Sequence, residues 1–363
     1  MTSAAGPGRL RWLFLQPTLA RPTGGDIALF EMANAIARRG DLVQIVHVPL
    51  LDTRVRDLSE VPWLEFEPSV EHHFATDLDP ERLPAADVVV YGTKLLMSAL
   101  APDAGTGGGQ LVSALEDPRS RSWLPVLFLQ GLGVFAPEVE ALARRLPGPK
   151  VCVGSWLADL LVDEGVAAVD VVHIPNGVDP RMFRVHHPIE GRAPHVSMNF
   201  DPHPVKGGEP GLAAIEALHR RAAVAATVFG TRPPPHPPAP GVAFVLSPAR
   251  TTIAEIYNAS SVFLQPSRQE GFGMCAVEAM ASGCALVSTA NGGSADYAFD
   301  GETALVCGPD EHAMLDALHR LVGDDPLRIR LATAGARHVE RFRWSVSAER
   351  LSALVAARLA AGA

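Results

Sequence analysis

Gln265–Gly283 reads QPSRQEGFGMCAVEAMASG. The apolar run Val262–Leu264 before it reads as a buried strand, and Met274–Ala281 reads as a helix. The stretch is therefore strand, glycine-containing turn and helix, the unit from which parallel sheets are wound. Gly271 and Gly273 free the backbone to approach a ligand closely. The helix start beyond them offers unpaired N–H groups and a positive dipole end, which suit a phosphate or a sugar oxygen. Glu270 lies in the turn, and Glu278 lies in the helix that follows. A carboxylate only accepts hydrogen bonds and has several lone pairs, so two of them flanking this turn suit pairs of vicinal hydroxyls. The plain alternative is a cap-region acid and a solvated helix acid.

The same alternation extends in both directions. Toward the start, strands are predicted at Leu13–Gln16, Leu42–Val48, Asp87–Tyr91, Pro125–Gln130, Lys150–Val153 and Val171–Ile174, with a helix over 27–39 and another from Ser155. Asp26 is placed to cap the first of these helices and Gly40 to end it. Ala101–Arg121 lacks a period and reads as a loop with one short helix around Leu111–Leu115. The pattern breaks at Pro180–Pro194, read as a linker, and then restarts. Strands are predicted at His195–Asn199, Ala222–Phe229, Val242–Leu246, Ala285–Ser288 and Leu305–Cys307. Helices are predicted over 209–219, 253–257, 312–321, 327–339 and 346–359. Arg232–Pro240, RPPPHPPAP, is a stiff excursion rather than a core element. The fold class is α/β: two doubly wound domains in tandem, with ligands at the carboxyl ends of their strands and in the cleft between them.

Three further stretches fall at such strand ends. Lys206, in VKGG after the strand HVSMN, is the single lysine of the second half of the chain and suits a diphosphate as a point charge. Its alternative is a plain surface lysine. Gly25, in PTGGD at the first strand–helix turn, allows a phosphate to approach the backbone, or simply makes a tight turn. Asn291–Gly293 follows the strand ALVS, with Asp296 close behind as a cap or a ligand contact. The patterns G-x-G-x-x-G, G-K-[ST] and G-x-S-x-G are absent, which argues against a dinucleotide fingerprint, a P-loop and a serine-hydrolase elbow. His72–His73 and His186–His187 are adjacent pairs that point different ways, so no metal site is expected.

The chain has 363 residues with 31 Lys and Arg against 40 Asp and Glu. Residues 1–180 carry the whole excess, 14 against 23, which argues against nucleic acid as a partner. Four cysteines without a C-x-x-C pair point to a reducing, cytoplasmic setting. Met1–Gly8 lacks a signal-peptide layout, and no apolar run is long enough to span a membrane.

Pro266, Ser267, Glu270, Gly271, Phe272, Gly273, Glu278, Ala279, Met280, Ala281 and Gly283 match the pattern P-S-x-x-E-G-F-G-x-x-x-x-E-A-M-A-x-G. With VGSWLADL at Val153–Leu160 and IPNGVD at Ile174–Asp179, the chain resembles the retaining glycosyltransferases of family 4, strongest from Cys152 to Val306. The resemblance implies the GT-B fold, two Rossmann-like domains facing across a cleft. Residues 1–183 would bind the acceptor, with the last helix, about 345–363, packing back on them, and residues 184–344 would bind the donor. The implied activity is that of a hexosyltransferase, retaining and metal-independent, moving sugar from a nucleotide diphosphate sugar to a hydroxyl of a small molecule or glycan in surface-glycan or natural-product synthesis. No separate cofactor is implied, and peripheral membrane contact stays open. A non-catalytic nucleotide-sugar-binding subunit or an epimerase on the same scaffold are the alternatives.

By position, the resemblance makes Glu270 a partner of the donor sugar's hydroxyls, together with the backbone of Gly271, Phe272 and Gly273. Glu278 would take the ribose diol, Lys206 the diphosphate, Gly25 the phosphates, and the base would lie near Gly230 and Phe244–Leu246. Two positions depart from the pattern. Asp201 stands where many members have an arginine, leaving Arg232, Arg268 or Arg181 to replace it. Gln130 stands where members often have a histidine; an amide hydrogen-bonds a sugar hydroxyl but is not a general base.

Overall fold

A computed structural model describes residues 9–20, 23–50, 54–101, 107–117 and 122–362. Met1–Gly8, Pro22 of the PTGGD turn and parts of Ala101–Arg121 lie outside the described residues. The chain divides into two units. Unit 1 comprises Met1–Val153, Leu157–Pro175 and Trp344–Ala363; unit 2 comprises Gly154–Trp156 and Asn176–Arg343.

Unit 1 is built from β1 (Arg11–Pro17), α1 (Gly24–Arg38), β2 (Leu42–Val48), β3 (Glu71–Phe74), β4 (Val88–Tyr91), α2 (Thr93–Leu100), α3 (Gly108–Glu116), β5 (Leu124–Leu129), α4 (Pro137–Arg145), β6 (Lys150–Cys152), the helix α5 (Ser155–Asp163) apart from Ser155 and Trp156, which belong to unit 2, and β7 (Val171–His173). Its seven strands lie in the order β3-β2-β1-β4-β5-β6-β7, and every pairing is parallel. Strands covered on both faces must be apolar throughout, and VVVY in β4 and LPVLFL in β5 are buried at every residue. The helix predicted over 27–39 starts earlier, because Thr23 rather than Asp26 is its N-cap: Asp26 is the third helical residue and closes a capping box onto Thr23. The helices α2 and α4 and the strand β3 add to the elements predicted from sequence.

Unit 2 contains β8 (His195–Asn199), α6 (Gly208–Ala222), β9 (Ala225–Gly230), β10 (Val242–Leu246), α7 (Arg250–Ala259), β11 (Val262–Gln265), α8 (Met274–Ala281), β12 (Ala285–Thr289), β13 (Ala304–Cys307), α9 (Glu311–Gly323) and α10 (Asp325–Val339). Its six parallel strands lie in the order β10-β9-β8-β11-β12-β13. Numbered within the unit, that is 3-2-1-4-5-6, the order of dinucleotide-binding sheets. Val196, Met198, Leu264 and Val287 from the sheet pack with Leu212 and Ile215 of α6 and Leu318 of α9 in one buried core. The crossover from β9 to β10 carries the proline-rich segment in place of a helix, and Ala239 N–H in it donates to Glu216 Oε1 of α6 at 2.9 Å. The last helix, α11 (Trp344–Ala360), packs on α1 within unit 1.

Candidate functional site

In a doubly wound sheet the loops leaving the two central strands turn to opposite faces and open a crevice at their carboxyl ends. In unit 2 those strands are β8 and β11. After β8 the chain makes a short turn over Pro204–Lys206, capped by His203, and enters α6 through Gly207 at φ +62°. A Cβ on Gly207 would lie 2.1 Å from Pro266 O, so the approach of the two loops itself demands glycine. After β11 the chain runs to Glu270, which is held like a strand residue: its N–H donates to Asn291 O at 2.9 Å and its carbonyl accepts Gly293 N–H at 3.1 Å. The glycine loop after β12 is thus a clamp on Glu270.

The two loops join through Lys206 and Glu270. Lys206 Nζ lies 2.8 Å from Glu270 Oε1 and 2.9 Å from Oε2. Ser267 Oγ donates to Oε1 at 2.7 Å and Gln265 Nε2 to the same oxygen at 3.1 Å. Oε1 is therefore filled, while Oε2 has the one donor and keeps room for another. The Glu270 side chain is 14% exposed and that of Lys206 41%, so the pair is open to a ligand. Burial works against the Lys206 charge, but the Glu270 carboxylate, by charge and hydrogen bond, outweighs it and raises the ammonium above its ordinary range. Gly273 begins α8, and Glu278 in that helix is buried, its Oε1 lying 3.8 Å from Arg250 Nη2.

The other candidates of this edge fall nearby with differing partners. Gly271 O accepts the indole N–H of Trp156 at 3.1 Å, and the Phe272 ring packs edge-on against Tyr297 and Phe342. Gly230 ends β9, where a Cβ would meet Phe200 O at 2.3 Å. Asp296 accepts Ser155 N–H at 3.0 Å. Among the three arginines named as replacements, Arg232 lies 3.4 Å from Asp201, at the position where the departure occurs, whereas Arg181 folds back as a fork on Asp179. Ser267, Gln265, Trp156 and Arg250 had no assigned site role from sequence. Ser267 stood inside the quoted motif, but nothing in its spacing said that it supports Glu270.

Unit 1 has its own reversal point between β1 and β4. Gln130, just past β5, donates from Nε2 to Gly25 O at 2.9 Å, so two of the named residues meet there. Beside them is an ion pair that sequence reading missed. Lys94, in the first turn of α2, donates to Asp26 Oδ1 at 2.8 Å and to Thr23 Oγ1 at 2.7 Å. Asp26 is fully buried and also accepts Gln16 Nε2 from the end of β1. Lys94 was one of only three lysines in the chain, which was the available signal.

Among the described residues no group of three or more His, Cys, Asp or Glu is placed to hold a metal ion. The one Asp-x-Asp, Asp77–Leu78–Asp79, is occupied by Arg82, which lies 2.7 Å from Asp77 and 3.5 Å from Asp79. No helix of the described residues is long and apolar enough to cross a membrane.

Two Rossmann-like units in tandem, each with its own strand-reversal point, have the architecture of the GT-B fold class. Solved structures agree: sucrose-phosphate synthase from Thermosynechococcus elongatus superposes with a TM-score of 0.74 at 17% identity, covering 97% of this chain and 100% of that one. HepE from Anabaena, solved with UDP and glucose, gives 0.73 at 14% identity, covering 96% and 100%. The chain is related to the glycosyl transferases group 1, whose family model matches residues 198–324 in unit 2. D-inositol 3-phosphate glycosyltransferase of Corynebacterium diphtheriae is 39% identical over 103 residues, 28% of this chain and 24% of that protein. The enzyme of the same name from Streptomyces bingchenggensis is 35% identical over 150 residues, 40% of this chain and 30% of that protein. The chain thus spans about a quarter of the length of the curated relatives it matches.

Proposed function

We propose that the protein is a retaining glycosyltransferase of family 4, cytoplasmic, that moves a hexose from a nucleotide diphosphate sugar to an acceptor hydroxyl. The observation that carries this reading is the Lys206–Glu270 pair, set where β8 and β11 diverge in a 3-2-1-4-5-6 sheet. The group 1 family match over the same residues and the nucleotide-bound GT-B neighbours support it.

In this reading unit 2 takes the donor. Glu270 Oε2 accepts a hydroxyl of the sugar, and Glu278 accepts the ribose diol. As the bond to the diphosphate breaks, negative charge grows on the leaving oxygen. Lys206 and the backbone N–H groups at the start of α8 stabilise that charge, and this difference between transition state and ground state is where rate is gained. The acceptor oxygen bonds to the anomeric carbon on the face the diphosphate leaves, and its proton passes to the departing phosphate oxygen. Unit 1 serves the acceptor, with Gln130 a hydroxyl-binding amide and Gly25 a phosphate-approach glycine.

The test is turnover of labelled UDP-, GDP- and ADP-sugars by the full chain with a panel of alcohols and glycans. The expected product keeps the donor's anomeric configuration, and Glu270→Ala lowers the rate by about a hundredfold or more. Interconversion of sugars without an acceptor identifies an epimerase instead. Binding without turnover of any donor identifies a non-catalytic subunit, and either result overturns the reading.

A further inference from the structure

Arg250 opens α7, and its side chain is only 13% exposed. A guanidinium does not titrate in the accessible pH range, so a buried one must be compensated. Here its charge meets acids on two sides. Glu278 Oε1 lies 3.8 Å from Nη2. Asp179, in the segment that follows Asn176, also feels Arg250. Burial pushes Asp179 up, but the Arg181 fork, the Arg181 amide and the charge of Arg250 together hold it below the usual carboxylate range. The Phe183 ring supports the guanidinium from a third side, with its centroid 5.6 Å from Cζ. Asp179, Arg250 and Glu278 thus form an alternating set of charges.

The 3.8 Å separation has a chemical consequence. It lies within ion-pair reach but beyond a hydrogen bond. Arg250 therefore offsets the cost of burying the Glu278 carboxylate by charge rather than by a hydrogen bond between Nη2 and Oε1.

We infer that Arg250 is a positioning residue for the ribose end of the donor, holding Glu278 so that its oxygens accept the 2′- and 3′-hydroxyls. The inference rests on reading Glu278 as the diol acceptor. It predicts a selectivity, because a ligand lacking the 2′-hydroxyl leaves one of those acceptors unmet.

Calorimetric titration of the full chain with UDP, GDP and ADP and their 2′-deoxy counterparts tests it. The wild type is expected to bind its ribonucleotide about tenfold or more tighter than the deoxy form, the scale of one hydrogen bond to a charged group. In Arg250→Met the ratio falls to within about twofold, chiefly through weaker binding of the ribonucleotide. Arg250→Lys keeps a cation over Phe183 and retains most of the ratio. A merely structural role weakens both ligands together and leaves the ratio intact. The inference is overturned by a folded Arg250→Met with the full wild-type ratio. Should that variant not fold, it is overturned by a folded Arg250→Lys with no preference. A wild type that binds nucleotides without preferring ribose overturns the Glu278 reading instead, and a wild type that binds none overturns the proposed function itself.

Discussion

Gly273 has φ +94°, a conformation that L side chains rarely adopt, and it turns the chain from the Glu270 loop into α8. A Cβ there would lie 2.3 Å from Tyr297 Oη. Two separate costs can therefore be told apart. Gly273→Ala meets both the left-handed backbone and the phenol oxygen, and is expected to lose about 2–4 kcal/mol of stability. Gly273→Ala combined with Tyr297→Phe removes the oxygen, and with it the long hydrogen bond from Tyr297 Oη to Gly273 O at 3.5 Å, and keeps the backbone strain, about 1–2 kcal/mol. Denaturant unfolding of the single and double variants measures the difference. A double variant no more stable than the single one would show that the phenol is not the obstacle. The reason for such economy at Gly273 is positional: any shift of α8 moves the N–H groups and Glu278 away from Glu270.

At the scale of elements, the edge β1–β2–β3 contains a hydrogen-bonded row whose direction is fixed. Thr18 Oγ1 donates to Gln16 O at 3.1 Å, so it accepts from His47 Nδ1 at 2.8 Å. His47 Nε2 is then the acceptor for His72 Nδ1 at 3.0 Å. Burial, followed by the charges of His72 and His73, lowers His47 to about 3, and burial with His73 lowers His72 to about 4. Both values lie below those of the unfolded chain, so the unfolded state binds protons first as pH falls. The stability these residues contribute is complete above about pH 6.5 and is lost as pH drops toward 4 and 3, at up to about 1.4 kcal/mol per pH unit for each. Thermal unfolding of the wild type is expected to weaken from pH 7.5 to 5. His47→Asn, which keeps a donor for Thr18 and does not titrate, flattens that slope. An equal slope in the variant would remove His47 from the account. The strand β3 is also where the sequence was least legible. EHHF is short, half-buried and without apolar alternation, so only its parallel pairing with β2 makes it a strand. That pairing also sends His72 to His47 and His73 to Gln44, on opposite faces, as adjacent strand residues must point.

Across the whole molecule, what could be read from sequence followed one rule. Strands such as Leu42–Val48, His195–Asn199 and Val242–Leu246 have the limits predicted, because β-branched and other apolar residues between turn signals mark a strand even where, as at the edge strand Val242–Leu246, it is only partly buried. Lys206 and Glu270 were each legible as residues at strand ends, but their contact, between positions 64 residues apart, was not. The pairs Lys94–Asp26 and Arg250–Glu278 were invisible for the same reason: periodicity tells which face a residue occupies, and topology decides whom it meets there. The functional reading depends on such a meeting, which makes Lys206 the place to test it at this scale. A ligand that binds only the folded chain at a hundred times its dissociation constant adds about 2.7 kcal/mol. For a unit of this size that raises its melting temperature by about 5 °C or more. The right nucleoside diphosphate from the UDP, GDP and ADP set is expected to produce that shift in the wild type, and less of it at high salt, since Lys206 is 41% exposed and open to screening. Lys206→Ala loses the cation and also leaves the Glu270 carboxylate facing the phosphates uncompensated, so both effects weaken binding. Glu270 itself stays anchored by Ser267, Gln265 and the Asn291–Gly293 clamp, so the variant is expected to fold and to show almost no shift. A variant shifted as far as the wild type would mean that the phosphates bind away from the β8–β11 reversal point.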